Sequence, residues 1–222
     1  MYSRRAQLSM NVQEFSKKPE PGAYTSTRSR KRNQVEAMNL NEVKYILRKN
    51  PVIPALRTSE DVDNVTKLKD RVVFLLETSV GRYQDYVRKL KDAGHIVFVH
   101  ADLIKGLKMD EYGFEFILTE RPSGIISTHK STLEWAKKQG LMQIYRIFMI
   151  DSEALRNGEQ LIRSTRPDFV EILPGLVMLS LEIDFGFPLI AGGLISRKDH
   201  VDELLKRGIF AVSTSNKNLW YN

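Results

Sequence analysis

From Pro51 to the C-terminus, short apolar runs alternate with longer stretches whose apolar positions recur at helical spacing. The strand-like runs are Val52–Leu56, Val72–Leu76, Ile96–Val99, Gly124–Ser127, Gln143–Ile150, Phe169–Leu173, Leu189–Ala191 and Ala211–Ser213. Between them lie amphipathic stretches such as Tyr83–Ala93, Leu133–Gln139, Glu153–Ser164 and Lys198–Lys206, and Thr58, Ser131 and Ser152 read as N-caps. Continuous apolar runs alternating with helices indicate a parallel sheet buried on both faces. Eight such runs favour a closed, TIM-like (β/α)8 barrel, with an open doubly wound sheet as the alternative. About 172 residues is small for a barrel that usually takes roughly 200–250, so some connections must be short. The tightest follows the sixth run, where Leu176–Glu182 allows barely two helical turns before Gly186 and Pro188.

The chain before Pro51 is different. Residues 1–37 are rich in Ser, Thr, Pro and basic side chains with little apolar periodicity, and read as disordered. Asn39–Lys49 has Leu40, Val43 and Leu47 on one face and reads as a short helix. Met38, at the junction, is a candidate translation start, with Met10 a second. The division expected is a basic extension over 1–49 and one domain over 50–222.

Charge follows that division. Residues 1–49 hold 11 Lys/Arg against 4 Asp/Glu, whereas the remaining 173 residues hold 23 of each. The net charge of +7 therefore belongs to the arm, which points to a polyanionic partner or to a solvated tail. With no cysteine there is neither a disulfide framework nor a thiolate metal site. No apolar run approaches the roughly 18 residues of a membrane helix, and no apolar segment follows Arg4 and Arg5 as in a signal peptide. The expected setting is cytoplasmic.

Candidate chemistry gathers where the runs end. Ile190-Ala191-Gly192-Gly193 and Ala211-Val212-Ser213-Thr214-Ser215 close the seventh and eighth runs with small and hydroxylated residues. In (β/α)8 barrels the loops after these two strands frequently bind phosphate. Gly192 and Gly193 would let a phosphate approach backbone N–H groups, and Ser213, Thr214 and Ser215 would add donors. Arg57, His100, Asp102 and Lys105 stand at the ends of the first and third runs. Arg146 and Glu171 lie inside the fifth and sixth, where an unpaired charge would cost several kcal/mol. A salt bridge between neighbouring strands would satisfy both, and the functional alternative has Arg146 on an anion and Glu171 on a ligand hydroxyl. His100 and Asp102, two apart, form a candidate acid/base pair. No spacing indicates a metal site, and no Gly-x-Gly-x-x-Gly, Walker A or Gly-x-Ser-x-Gly motif is present. No cofactor is implied, and the absence of lysine from the strand-like runs argues against a Schiff-base aldolase.

Seven segments in order resemble one family: Val52–Arg57, Phe98–Gly106, Gly124–Thr128, Arg146–Ser152, Pro167–Gly175, Ile190–Ile195 and Ala211–Ser215. This is the glycerol-3-phosphate-responsive antiterminator family of bacterial regulators of glycerol-utilisation genes, and the likeness spans about residues 50–221. It implies a small TIM-like barrel that binds glycerol 3-phosphate and then acts on leader mRNA so that polymerase passes a terminator. It implies a regulator, not an enzyme. The segment from Gly175 to Pro188 is short for the family, and Tyr145 stands where a polar residue is expected. Arg88-Lys89-Lys91, Lys137-Lys138 and Lys206-Arg207 are candidate basic patches, with Trp135, Trp220 and Tyr221 as candidate stacking groups; a homodimer would combine weak patches. The rival class is a phosphate-dependent barrel enzyme, an isomerase or epimerase using His100, Asp102 and Glu171.

Overall fold

A computed structural model describes residues 39–221, so the reading of residues 1–37 as disordered lies outside the described residues. The eight apolar runs form β1 (Val52–Leu56), β2 (Val72–Leu75), β3 (Ile96–His100), β4 (Gly124–Ser127), β5 (Met142–Phe148), β6 (Phe169–Leu173), β7 (Leu189–Gly192) and β8 (Ala211–Thr214). All neighbours pair in parallel, and β8 closes on β1 through Val52↔Val212, Ile53↔Ser213 and Pro54↔Thr214. The result is a closed eight-stranded barrel.

Period-two alternation divides the strand residues between two cores. Ile53, Phe74, Phe98, Ile144, Phe169 and Ile190 fill the barrel interior. Leu56, Leu75, Val99, Ile147, Ile172 and Val212 face outward and pack against the surrounding helices. Those helices are α2 (Ser59–Val65), α3 (Tyr83–Asp92), α4 (Glu111–Leu118), α5 (Lys130–Lys138), α6 (Ser152–Thr165) and α7 (Lys198–Lys206), following β1 to β5 and β7. Each buried side chain of this size is worth about 1.5–3 kcal/mol, so the two cores together specify the closed sheet.

The Asn39–Lys49 segment is helix α1 (Leu40–Lys49). Its Val43 and Leu47 are buried with the interior cluster, beside Ile53, Val72 and Ile96 near the strands' N-terminal ends. The helix thus stoppers the barrel from below and packs with the body that follows it. After β6 no α-helix forms. The chain makes one 3-10 turn, Gly175–Leu179, and returns to β7, as the short Gly175–Pro188 segment requires. After β8 a second 3-10 turn, Lys217–Leu219, leads to Trp220, fully buried with its Nε1–H donating to the Thr214 carbonyl at 2.8 Å. Trp220 is an anchor for β8 and is not available to stack on a base. Trp135 is half-buried, with one ring face stacked on Phe114 at 4.2 Å.

Candidate functional site

Only the upper layer of the barrel interior is polar. Where β5, β6 and β8 approach their C-terminal ends, Arg146, Glu171 and Ser213 replace the apolar side chains of the layers below. Strand register sets Arg146 directly opposite Glu171. Arg146 Nε and Nη2 both lie 2.7 Å from Glu171 Oε2, and Ser213 Oγ donates to Oε1 at 2.5 Å. The pair is 4% and 1% exposed, so the salt bridge expected between the fifth and sixth strands is present. Burying it is tolerable because both carboxylate oxygens are satisfied. Gly192 on β7 makes this possible: a Cβ there would sit 2.5 Å from Glu171 Oε1 and 2.8 Å from Ser213 Oγ.

Above this layer lies a cavity of about 440 Å³ lined by Arg57, Arg146, Glu171, Gly193, Ser213, Thr214 and Ser215 among others. The loops after β7 and β8 meet at its edge. Gly193 has φ +72° and Leu194 φ +59°, two consecutive left-handed residues that turn the backbone sharply at the rim. The second costs roughly 1–2 kcal/mol in a residue with a Cβ. Asn216 ties the loops together, its Nδ2 donating to the Ser196 carbonyl at 2.7 Å, while Thr214 Oγ1 donates to the Ile195 carbonyl at 2.6 Å. Thr214 Oγ1 also accepts from Asn216 N at 3.0 Å, so this hydroxyl holds the loop, whereas Ser213 holds Glu171.

At the opposite edge, Arg57 pairs with Glu77 Oε1 and Lys105 Nζ lies 3.5 Å from Glu77 Oε2. A two-residue parallel sheet, Thr78–Ser79 with Ile104–Lys105, brings the loops after β2 and β3 together and sets this geometry. The hydrogen bond from Arg57 holds the Glu77 carboxyl below its usual range. Glu77 closes the second run in the sequence, but nothing in the sequence signals that it binds both candidate cations. Asn216 and Leu194 are the other rim residues that sequence reasoning missed.

His100 and Asp102 do not form the expected pair. The chain leaves β3 at His100 and enters a 3-10 turn, Ala101–Leu103, so strand alternation stops before Asp102. Asp102 Oδ1 instead accepts from Ser127 Oγ at 2.6 Å, and Oδ2 accepts from Thr128 N at 2.8 Å and Thr128 Oγ1 at 2.9 Å. These bonds fasten the β3 loop to the end of β4. His100 is buried, and its Nδ1 has no partner among the described residues. Burial, reinforced by the Arg146 charge, pushes its pKa down to about 4, so the imidazole is neutral at pH 7. Lys105 is exposed on the rim. Among the described residues no group of three or more His, Cys, Asp or Glu has metal-site geometry, and no helix is long and apolar enough to cross a membrane.

The upper layer and its loops can thus hold a small anion with hydroxyl groups: backbone and hydroxyl donors lie on one side, and a guanidinium on the other. The structure resembles barrels of several activities. A deoxyribose phosphate aldolase from Aeropyrum pernix matches with a TM-score of 0.57 at 12% identity, covering 80% of this chain and 94% of that one, which shows the fold alone. Closer in sequence is the glycerol uptake operon antiterminator regulatory protein of Listeria monocytogenes, with 38% identity, a TM-score of 0.68, and 77% and 95% of the two chains covered. A glycerol uptake operon antiterminator-related protein of Thermotoga maritima gives 31% identity and a TM-score of 0.69 over 78% and 99%. The Escherichia coli K12 protein YgcP is 32% identical over 180 residues, 79% of this chain and 94% of its own. The family model described as glycerol-3-phosphate responsive antiterminator matches residues 52–220. The chain belongs to that family.

Proposed function

We propose that the chain binds glycerol 3-phosphate in the β5–β8 mouth and, in the liganded state, engages a leader mRNA to regulate transcription of glycerol-utilisation genes. The observation that carries this reading is the meeting of the Gly193–Leu194 and Ser213–Ser215 loops with Arg57 around one cavity. The phosphate lies on the loop backbone with the Ser215 hydroxyl, and Arg57 turns from Glu77 to meet it. The glycerol hydroxyls point down to the Arg146–Glu171 layer, where Glu171 accepts and Arg146 donates. Neutral His100 presents an imidazole without adding a second positive charge to the layer. Ligand selects the RNA-competent state only by binding it more tightly. Its contacts span the loops after β1, β7 and β8, so their arrangement is the quantity it biases.

The chain acts as a regulator on this reading. None of the eight barrel strands carries a lysine, Asp102 is consumed by loop hydrogen bonds, and Glu171 is committed to Arg146. Neither carboxylate is therefore free to act as a general base. Isothermal titration of the full chain tests the ligand: saturable binding of glycerol 3-phosphate, with none of glycerol and far weaker binding of inorganic phosphate, is expected. Equal affinity for inorganic phosphate, or no heat from the ester, would refute it.

A further inference from the structure

The barrel has a second cavity, at the opposite end from the mouth. About 720 Å³ in volume, it lies between α1 and the loops that enter β2, β3, β4 and β5. Four cations line it, Lys49, Lys69, Lys91 and Arg121, against two carboxylates, Glu42 and Asp70. Lys69, Lys91, Arg121 and Asp70 come from residues 50–222, which hold equal numbers of each sign, so their local excess of positive charge is a matter of arrangement. Pairing makes the asymmetry plainer. At the mouth end, Lys108, Lys130, Lys198 and Lys217 each have a carboxylate oxygen within 4.0 Å. Among the described residues, none of the four cavity cations does. Lys91 Nζ contacts the carbonyls of Glu120 and Arg121, and Arg121 Nη2 that of Gln139. Their positive charge is positioned but not neutralised.

The cavity also offers surfaces for a flat, partly polar group. Tyr45 is 55% exposed at its edge, with Lys49 Nζ 4.5 Å from the ring centroid, so one ring face has a cation and the residue as a whole remains largely open. His95 lines the wall and is 4% exposed. Its Nε2 lies 3.0 Å from the Val65 carbonyl, which fixes the proton on Nε2 and leaves Nδ1 as a buried acceptor without a partner among the described residues. Apolar walls, an exposed phenol ring, an unmet acceptor and uncompensated cations are what an unstacked base and its flanking phosphates need. A duplex, with its bases stacked inward, has no use for the cavity.

We propose that this α1 end of the barrel is the surface that binds single-stranded RNA, with one base stacked on Tyr45 at the cavity and the backbone following Lys49, Lys69 and Arg121. This rests on the RNA reading given above and places that partner at the far end from the ligand. Ligand and RNA then do not compete for one site, and the barrel body is the element through which they are linked. Residues 1–38 hold 8 Lys/Arg and 3 Asp/Glu, a net +5, which adds sequence-independent attraction for RNA.

The test is fluorescence anisotropy of the full chain with labelled single-stranded RNA oligomers of randomised sequence, with glycerol 3-phosphate present and across a salt series. The Lys49→Ala/Lys69→Ala double variant should bind about tenfold more weakly, and its salt slope should fall by about 1.4, since each phosphate contact on single strands contributes about 0.7. Tyr45→Ala should weaken binding about tenfold with the salt slope unchanged, because stacking releases no counterions. Lys130→Ala/Lys198→Ala, at the other end, should bind as the parent does. Parent-like binding by the Lys49/Lys69 variant, or tighter binding of duplex RNA or of anionic vesicles than of single strands, would overturn the surface. If the parent binds glycerol 3-phosphate but no RNA, the RNA reading falls together with this surface and the ligand pocket stands. If the parent binds RNA but not the ester, the ligand reading fails and the surface is judged by its variants alone.

Discussion

Arg146→Met removes the guanidinium from the buried layer and leaves Glu171, 1% exposed, with Ser213 Oγ as its remaining partner in that layer. The ion pair gives Glu171 Oε2 two contacts at 2.7 Å, and methionine fills the volume without replacing either. Breaking a buried pair on one side costs about 3–5 kcal/mol, because the stranded charge keeps its desolvation penalty. For a domain of this size each kcal/mol lowers Tm by about 2–4 °C, so a fall of about 6–20 °C is expected. The companion variant Arg146→Met/Glu171→Leu removes both charges and should recover most of the loss, since a buried pair is often replaceable by apolar groups. Urea unfolding of parent, both single variants and the double variant, without ligand, gives the coupling energy directly. A loss below about 1 kcal/mol for Arg146→Met would refute the argument. So would a double variant no more stable than that single one, since stability would then not depend on satisfying Glu171.

Other consequences follow from the same geometry. Glu77→Gln frees Arg57 and Lys105 from a competing carboxylate; affinity for glycerol 3-phosphate should rise up to about fivefold, the exposed bridge being worth at most about 1 kcal/mol, and calorimetry showing a fall would contradict it. His100, held near pKa 4 in the fold against about 6.5 unfolded, binds its proton more readily in the unfolded chain. Its contribution is full above about pH 6.5 and is lost as pH falls toward 4; His100→Gln should flatten the stability–pH curve in that window, and an unchanged curve would count against burial as the cause. Gly192→Ala puts a methyl group against Glu171 and Ser213 and should abolish calorimetric binding of the ester; parent affinity would show that the layer has slack. Thr58→Ala removes one half of the capping box with Asp61 and should cost about 1 kcal/mol in urea unfolding, without altering ligand affinity.

How much of this was legible beforehand differs by element. Apolar runs buried on both faces are conspicuous, so the strands, the barrel and the Arg146–Glu171 pairing could be read from residue types and strand adjacency. Thr58 caps α2 as expected, but α5 begins at Lys130 behind His129, with no side-chain cap, and Asp151 rather than Ser152 caps α6. Neighbouring polar residues compete for such positions, and only the path of the entering loop decides between them. The separation of His100 from Asp102 was illegible because a 3-10 turn of three residues leaves no periodic trace. Glu77 meets Arg57 across 20 positions and Lys105 across 28, through a two-residue sheet too short to carry a pattern. The cationic α1 end was hidden for a different reason. Its cations come from two helices, Lys49 on α1 and Lys91 on α3, and from two short loops, Lys69 and Arg121, each unremarkable in sequence, and only the closed barrel gathers them at one end.

The most direct test of the central claim is the structure of the full chain crystallised with glycerol 3-phosphate. The phosphate should lie between the Gly193–Leu194 backbone and Ser215, with Arg57 turned from Glu77 onto it and the hydroxyls within hydrogen-bond distance of Glu171 or Arg146. A phosphate ordered instead in the Lys49–Arg121 cavity at the α1 end, with the mouth residues unchanged, would contradict the account.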